Sequence, residues 1–194
     1  CDHTLAVDPA GVPWVGLCVM PGAEDAGVRV GRYQGSPGAG FAWEQVEAFP
    51  GGSRAGYFEH AQYEIDLTGV HHLLYVHPTS AGAPLQYARR ELDAGWSVTP
   101  LPGAQVTGYA AYALAVTSGG TVHAAFRATG AIDGGRAVMH AELAPGQTSW
   151  VTTPVDSAPL SLGFFGGAVD LALDGQGLPV IAYYGYDTSP DGGA

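Results

Sequence analysis

The stretch Leu171–Tyr184, LALDGQGLPVIAYY, reads as an apolar run, a tight D-x-x-G turn and a second apolar run. Three other stretches align with it: LAVDPAGVPWVGLCV (Leu5–Val19), YEIDLTGVHHLLYVH (Tyr63–His77) and LAVTSGGTVHAAFR (Leu114–Arg127). Their turns are anchored at Asp8, Asp66, Thr117 and Asp174, with Gly11, Gly69, Gly120 and Gly177 three positions later. The anchors are 58, 51 and 57 residues apart. Self-similarity at such a period marks an architecture of stacked supersecondary units.

Other features recur in phase. A short apolar run follows each of the first three hairpins: VRVGRY (28–33), LQYARREL (85–92) and AVMHAEL (137–143). A Gly-containing turn and a Trp come next, at Trp43, Trp96 and Trp150, and each Trp opens a further strand-like run. One unit is therefore four short antiparallel strands, A to D, in the alternating and β-branched style of half-buried sheet. The Ala-rich GYAAYALAV (108–116) could pass for helix, but it occupies a position that holds a strand in the other units. The expectation is an all-β chain, a β-propeller of four-stranded antiparallel blades. The blades fall at about 3–50, 57–104, 108–157 and, as a two-stranded partial unit, 165–194. A β-sandwich also needs many short strands, but it does not explain a Trp at one place in each of the first three units. A propeller does, because each sheet face must be filled against the next blade.

Three and a half blades leave two open faces, so the chain is expected to be one arc of a larger ring. Another chain, or the missing remainder of the same precursor, would complete it. A self-contained four-blade ring with an atypical last blade is the other arrangement.

Composition narrows the partners. The 194 residues carry 18 acidic and seven basic side chains, a formal net charge of -11, and the chain has neither Lys nor Asn. That surface repels polyphosphate and argues against nucleic acid. No apolar run is long enough for a transmembrane segment.

The LALDGQGLPVIAYY and LAVDPAGVPWVGLC copies, with QYARRELDAGW as the later half of a unit, resemble bacterial extracellular propeller repeats related to sialidase-type BNR units. The Asp box of sialidases, S-x-D-x-G-x-x-W, survives only in part, at Leu92–Trp96 and Pro145–Trp150. The resemblance implies a propeller of a secreted or cell-surface protein, with the periplasm as a further compartment, more firmly than it implies any activity.

The Asp of each D-x-x-G turn can accept hydrogen bonds from its own backbone, so Asp8, Asp66 and Asp174 are read as structural. If Val7 pairs with Val12, Cys1 lies opposite Cys18 and a disulfide is expected there. The B–C and D–A loops vary in length and composition, and variable loops on a rigid scaffold usually carry binding. Arg54, Tyr57, Glu59, His60 and Tyr109 are the ligand-binding candidates on that side, suited to a glycan or an acidic peptide. Tyr57 and Tyr109 recur in phase and could equally be blade-packing aromatics. Glu59 and Glu64 are the weak catalytic candidates; Glu64 stands where the other units have Ala, on the strand that lines the channel. No cofactor is demanded; calcium is the candidate if one binds, at Glu24, Asp25, Asp133, Asp187 and Asp191, which follow no known loop pattern. A His72–His123 metal pair lacks a third ligand at a defined spacing. No nucleophile-elbow or phosphate-loop motif is present. The expected function is a noncatalytic extracellular or cell-surface propeller for ligand binding or assembly. The alternative is part of a carbohydrate-active propeller enzyme, a sialidase-like hydrolase or a lyase, with its other site groups on the missing portion.

Overall fold

The computed structural model describes residues 3–19, 26–36, 38–49, 61–77, 84–92, 94–105, 112–129, 136–155 and 169–183. They form fourteen strands in four antiparallel sheets. The first sheet is β1 (His3–Val7), β2 (Pro13–Val19), β3 (Gly27–Tyr33) and β4 (Phe41–Ala48), in that order across the sheet. The second is β5 (Ala61–Ile65), β6 (His71–Val76), β7 (Pro84–Arg90) and β8 (Ser97–Gln105). The third is β9 (Tyr112–Val116), β10 (Val122–Thr129), β11 (Arg136–Leu143) and β12 (Val151–Pro154), and the fourth holds β13 (Val169–Leu173) and β14 (Pro179–Tyr183). Within the Ala-rich segment, Tyr112–Val116 is strand, as its place in the repeat predicts. β1 lies beside β5, β5 beside β9 and β9 beside β13, so the first strands of successive sheets are neighbours, as in propeller blades. No helix among the described residues is long and apolar enough to cross a membrane.

The D-x-x-G turns share one geometry. In each, the anchor N–H donates to the carbonyl four residues on, and the Gly N–H donates back to the anchor carbonyl. The Gly φ values are 80°, 84°, 80° and 80° for Gly11, Gly69, Gly120 and Gly177, a left-handed conformation that a side chain disfavours. Oδ1 of Asp8 accepts from the N–H groups of Ala10 and Val12, and Oδ1 of Asp174 from those of Gln176 and Leu178. Oδ1 of Asp66 accepts from the Thr68 N–H, the Thr68 hydroxyl and the Val70 N–H at 2.7–2.9 Å. Thr117 does part of this with its hydroxyl, which accepts from the Thr121 N–H. The structural reading of these anchors fits the bonds. Removing them should be felt: Asp66→Ala is expected to lower unfolding free energy by about 2 kcal/mol and Asp174→Ala by about 1 kcal/mol in urea titrations.

This turn corrects the expected register. Val7 pairs with Pro13, not Val12, because the left-handed Gly adds one bulged residue to the loop. The pairing that would set Cys1 opposite Cys18 is therefore not the one the hairpin adopts. Cys1 lies outside the described residues; Cys18 is buried, and burial pushes its thiol up to about 12.

Alternation along each strand sends successive residues into different seams. Trp14, Cys18, Val28 and Val30 of the first sheet pack against Tyr63, Leu73, Tyr75 and Ala88 of the second. Leu74, Val76, Leu85 and Tyr87 face Leu114, Val122, Ala124 and Phe126 of the third. Ala113, Ala125 and Val138 meet Val169 and Leu171 of the fourth. All six residues of β6 are buried, which is why HHLLYV reads as a continuous run: its sheet is covered on both faces. Trp96 and Trp150 sit in the first and second seams as expected. Trp43 does not share their register. Phe41 occupies the equivalent place, and Trp43 lies two residues further along β4, over Gly31, where a Cβ would come within 2.8 Å of the indole.

One column shows where the seams stop. Leu5, Tyr63, Leu114 and Leu171 are equivalent by pairing; the last three are 3%, 4% and 8% exposed, whereas Leu5 is 65% exposed. On the opposite face, Trp14, His72 and His123 are buried but their equivalent Val180 is 56% exposed. The first and last sheets each present an uncovered face.

Candidate functional site

Two clefts open on the D-x-x-G turn side, one over each of the first two seams. The first, of about 530 Å³, is lined by Asp8, Trp14 and Arg32 from one sheet and by Leu67, His71, Arg90 and Leu92 from the next. Its size lies within the range of small-molecule sites. Local sequence explains each wall. Oδ1 of Asp8 closes the turn, and its Oδ2 accepts from the Trp14 indole N–H at 3.1 Å. Desolvation works against the Asp8 charge, but the bonds from Val12, Trp14 and Ala10, together with Arg32, outweigh it and hold the carboxyl below its usual value. Trp14 is thereby fixed edge-on against His71, with ring centroids 4.6 Å apart. Arg32, directly across the sheet from Trp14, has its guanidinium carbon 5.9 Å from the indole centroid.

His71 sits at the floor. Its Nδ1 is 2.5 Å from the Tyr63 hydroxyl. Burial first, then the Arg90 and His72 charges, push its pKa down to about 4, so the ring is neutral at pH 7. Arg90 reaches across the seam to Glu44, Nη1 to Oε2, at 2.7 Å. Arg32 makes no ion pair among the described residues, and Leu67 and Leu92 stand exposed on the rim.

The second cleft is smaller, about 200 Å³, and chemically different. His72 takes the place of Trp14: its Nε2 is 3.3 Å from Asp66 Oδ2 and its Nδ1 2.7 Å from the Tyr87 hydroxyl. Burial lowers the His72 pKa, with Asp66 acting in the opposite direction. Arg89, the register equivalent of Arg32, is paired with Glu91 at 3.0 Å. Val122 and Leu143 stand where the first cleft has His71 and Arg90.

The remaining candidates fall as follows. His72 and His123 face different seams, so the structure does not bring that pair together. His123 instead meets His140, Nδ1 to Nε2, at 3.0 Å, with ring centroids 5.3 Å apart and a tilt of 18°. Those nitrogens point at each other, as in an N–H···N bond, and not at a common third point. Among the described residues there is no group of three or more His, Cys, Asp or Glu that could hold a metal ion. Glu64 is on the first strand of its sheet, opposite His72, and desolvation raises its carboxyl pKa. Arg54, Tyr57, Glu59, His60 and Tyr109 lie outside the described residues, as do Glu24, Asp25, Asp133, Asp187 and Asp191. Arg32 and Arg90, on the third strands β3 and β7, were not among the sequence candidates; the pairing sets Arg32 opposite Trp14 and Arg90 opposite His71, so both border the first cleft.

No protein-family model and no curated protein sequence matches the chain. Among solved structures, a fucose lectin from Kordia zhangzhouensis, determined in complex with methyl-fucoside, is similar with a TM-score of 0.49 and 13% identity. The match covers 78% of this chain and 97% of the lectin chain.

Proposed function

We propose that the chain is a noncatalytic propeller segment that binds a small ligand in the cleft between its first and second blades. The observation that carries this reading is the 530 Å³ opening itself, with two arginines, an indole and an imidazole converging on it from two blades. A recognition surface made by two blades uses the repeat as a scaffold and leaves specificity to a few side chains. Nothing about the cleft supplies a paired acid and base: the Asp8 carboxylate is spent on its turn and on Trp14.

The described sheets are read as three complete blades and part of a fourth, an arc of a larger ring. The exposed Leu5 and Val180 columns support this, since the same columns are buried wherever a neighbouring blade is present. Further blades, from another chain or from the same precursor, would cover them. The BNR-like repeat supports an extracellular or cell-surface setting.

The test is a glycan array probed with the wild-type chain and with Ala10→Trp. Ala10 is exposed, lines the cleft and lies in a turn away from the core, so the variant should fold and fill the opening. Loss of bound glycans in Ala10→Trp is the expected result. Binding that survives it would move the ligand to the opposite face, where Arg54, Tyr57 and Tyr109 are the candidates. Turnover of a glycoside substrate abolished by Glu64→Gln or Glu59→Gln would replace the reading with the enzymatic one.

A further inference from the structure

We infer that the first cleft selects a carboxylate-bearing sugar, a hexuronic acid unit; this rests on the binding reading above. The chain is strongly acidic, with seven arginines as its only Lys or Arg residues, yet two of them, Arg32 and Arg90, line this one opening. They come from different blades, so an anion between them bridges the seam. Arg32 has no ion-pair partner among the described residues and is exposed, and its guanidinium presents a fork suited to a carboxylate. Arg90 is held in position by Glu44 at 2.7 Å, with donors left over. Asp8 stays ionised and its field reaches Arg32, but both of its oxygens are engaged by its own turn and by Trp14, which leaves the Arg32 fork open to a ligand.

The rest of the lining favours a sugar over a peptide. An extended peptide would need a row of backbone donors and acceptors. The turns bordering the cleft offer few: the N–H groups of Ala10, Val12, Thr68 and Val70 donate to Asp8 and Asp66, and those of Gly11 and Gly69 to the anchor carbonyls. What remains is ring edges from Trp14 and His71, apolar rims at Leu67 and Leu92, and the arginines. That is a surface for a ring with an apolar face and one negative group.

The second cleft lacks this equipment, and the difference is built into the repeat. Leu143 replaces Arg90, so the second cleft holds one arginine, Arg89, paired with Glu91, where the first holds two. Of the two clefts among the described residues, the first is the one equipped for an acidic sugar.

Calorimetric titration with a panel of hexuronic acid disaccharides and their uncharged methyl esters tests the inference. The acids should bind one per chain, at least 10-fold more tightly than the esters, and lose affinity as salt is raised. Arg32→Gln should weaken the acid at least 10-fold and leave the ester unchanged. Arg89→Gln, in the other cleft, should change neither. Glu44→Gln, which releases Arg90, should tighten the acid. Equal affinity for acid and ester, or an unaffected Arg32→Gln, overturns the charge selection while leaving the cleft as a site if Ala10→Trp still abolishes binding. Acid binding that Ala10→Trp does not touch overturns the cleft itself. Tighter binding of a tetraglutamate peptide than of every disaccharide overturns the sugar assignment, as does the absence of any binding.

Discussion

Acidification from pH 7 to pH 4 should remove much of the stability of this fold. His71, His72, His123 and His140 all have pKa values lowered first by burial, and His71 is carried down to about 4. An unfolded chain would take up a proton on each near the ordinary value of 6.5, while the folded chain resists it. The stabilising preference for neutral imidazole is therefore fully present above pH 6.5. It is lost progressively as pH falls toward the folded pKa values. For His71, which is buried, the shift corresponds to roughly 3 kcal/mol, a large fraction of a typical 5–15 kcal/mol total. The aspartates act later and in the same direction. Asp8 and Asp66 are held below their usual value, so their contribution stands above the ordinary carboxylate range and disappears as pH drops through their own lower pKa values. Urea midpoints measured from pH 7.5 to pH 4 should fall steeply below pH 6.5, and His71→Gln should flatten part of that slope. A midpoint that stays level or rises toward pH 5 would mean the imidazoles are charged in the folded chain.

The second large effect separates two leucines in one column of the repeat. Leu114 is closed into the seam between the second and third blades, and Leu114→Ala should cost about 2–5 kcal/mol through lost burial and the cavity left behind. Leu5 occupies the equivalent position on the uncovered face of the first blade, and Leu5→Ala should change stability by only about 0.5 kcal/mol. Equilibrium unfolding of the two variants makes the comparison. A Leu5→Ala cost as large as that of Leu114→Ala would show that the first blade is already covered in the isolated chain, and would sink the arc. In a completed ring the same Leu5 variant should weaken association instead.

The strand order and the grouping into antiparallel sheets were readable because the D-x-x-G turns impose one local geometry wherever they occur. Repeat phase also decided correctly against helix at Tyr112–Val116, where local Ala content pulls the other way. Register was not readable. A bulged Gly conformation shifts pairing by one residue, and that single step moved Cys1 away from Cys18 on paper. The pairing of second with third strands, joined by loops that differ between units, was not fixed by the repeat either, so Arg32 was not connected with Trp14 or Arg90 with His71. The phase of Trp43 misled for a related reason. A Trp in the right neighbourhood was taken as the seam aromatic, while Phe41 holds the register-equivalent position and neither residue belongs to a buried seam. Long-range adjacency between blades leaves no periodic trace in a single chain, which is why the seam clefts escaped notice and the loops drew attention.

The alternation of β6 has an evolutionary corollary. His71 belongs to one cleft and His72, its neighbour in sequence, to another. Adjacent codons thus address separate clefts, and a change in one need not disturb the other. A chain assembled by duplicating a single unit can in this way vary its clefts one at a time, while the glycine turns and inner strands that keep the units in phase stay as they are.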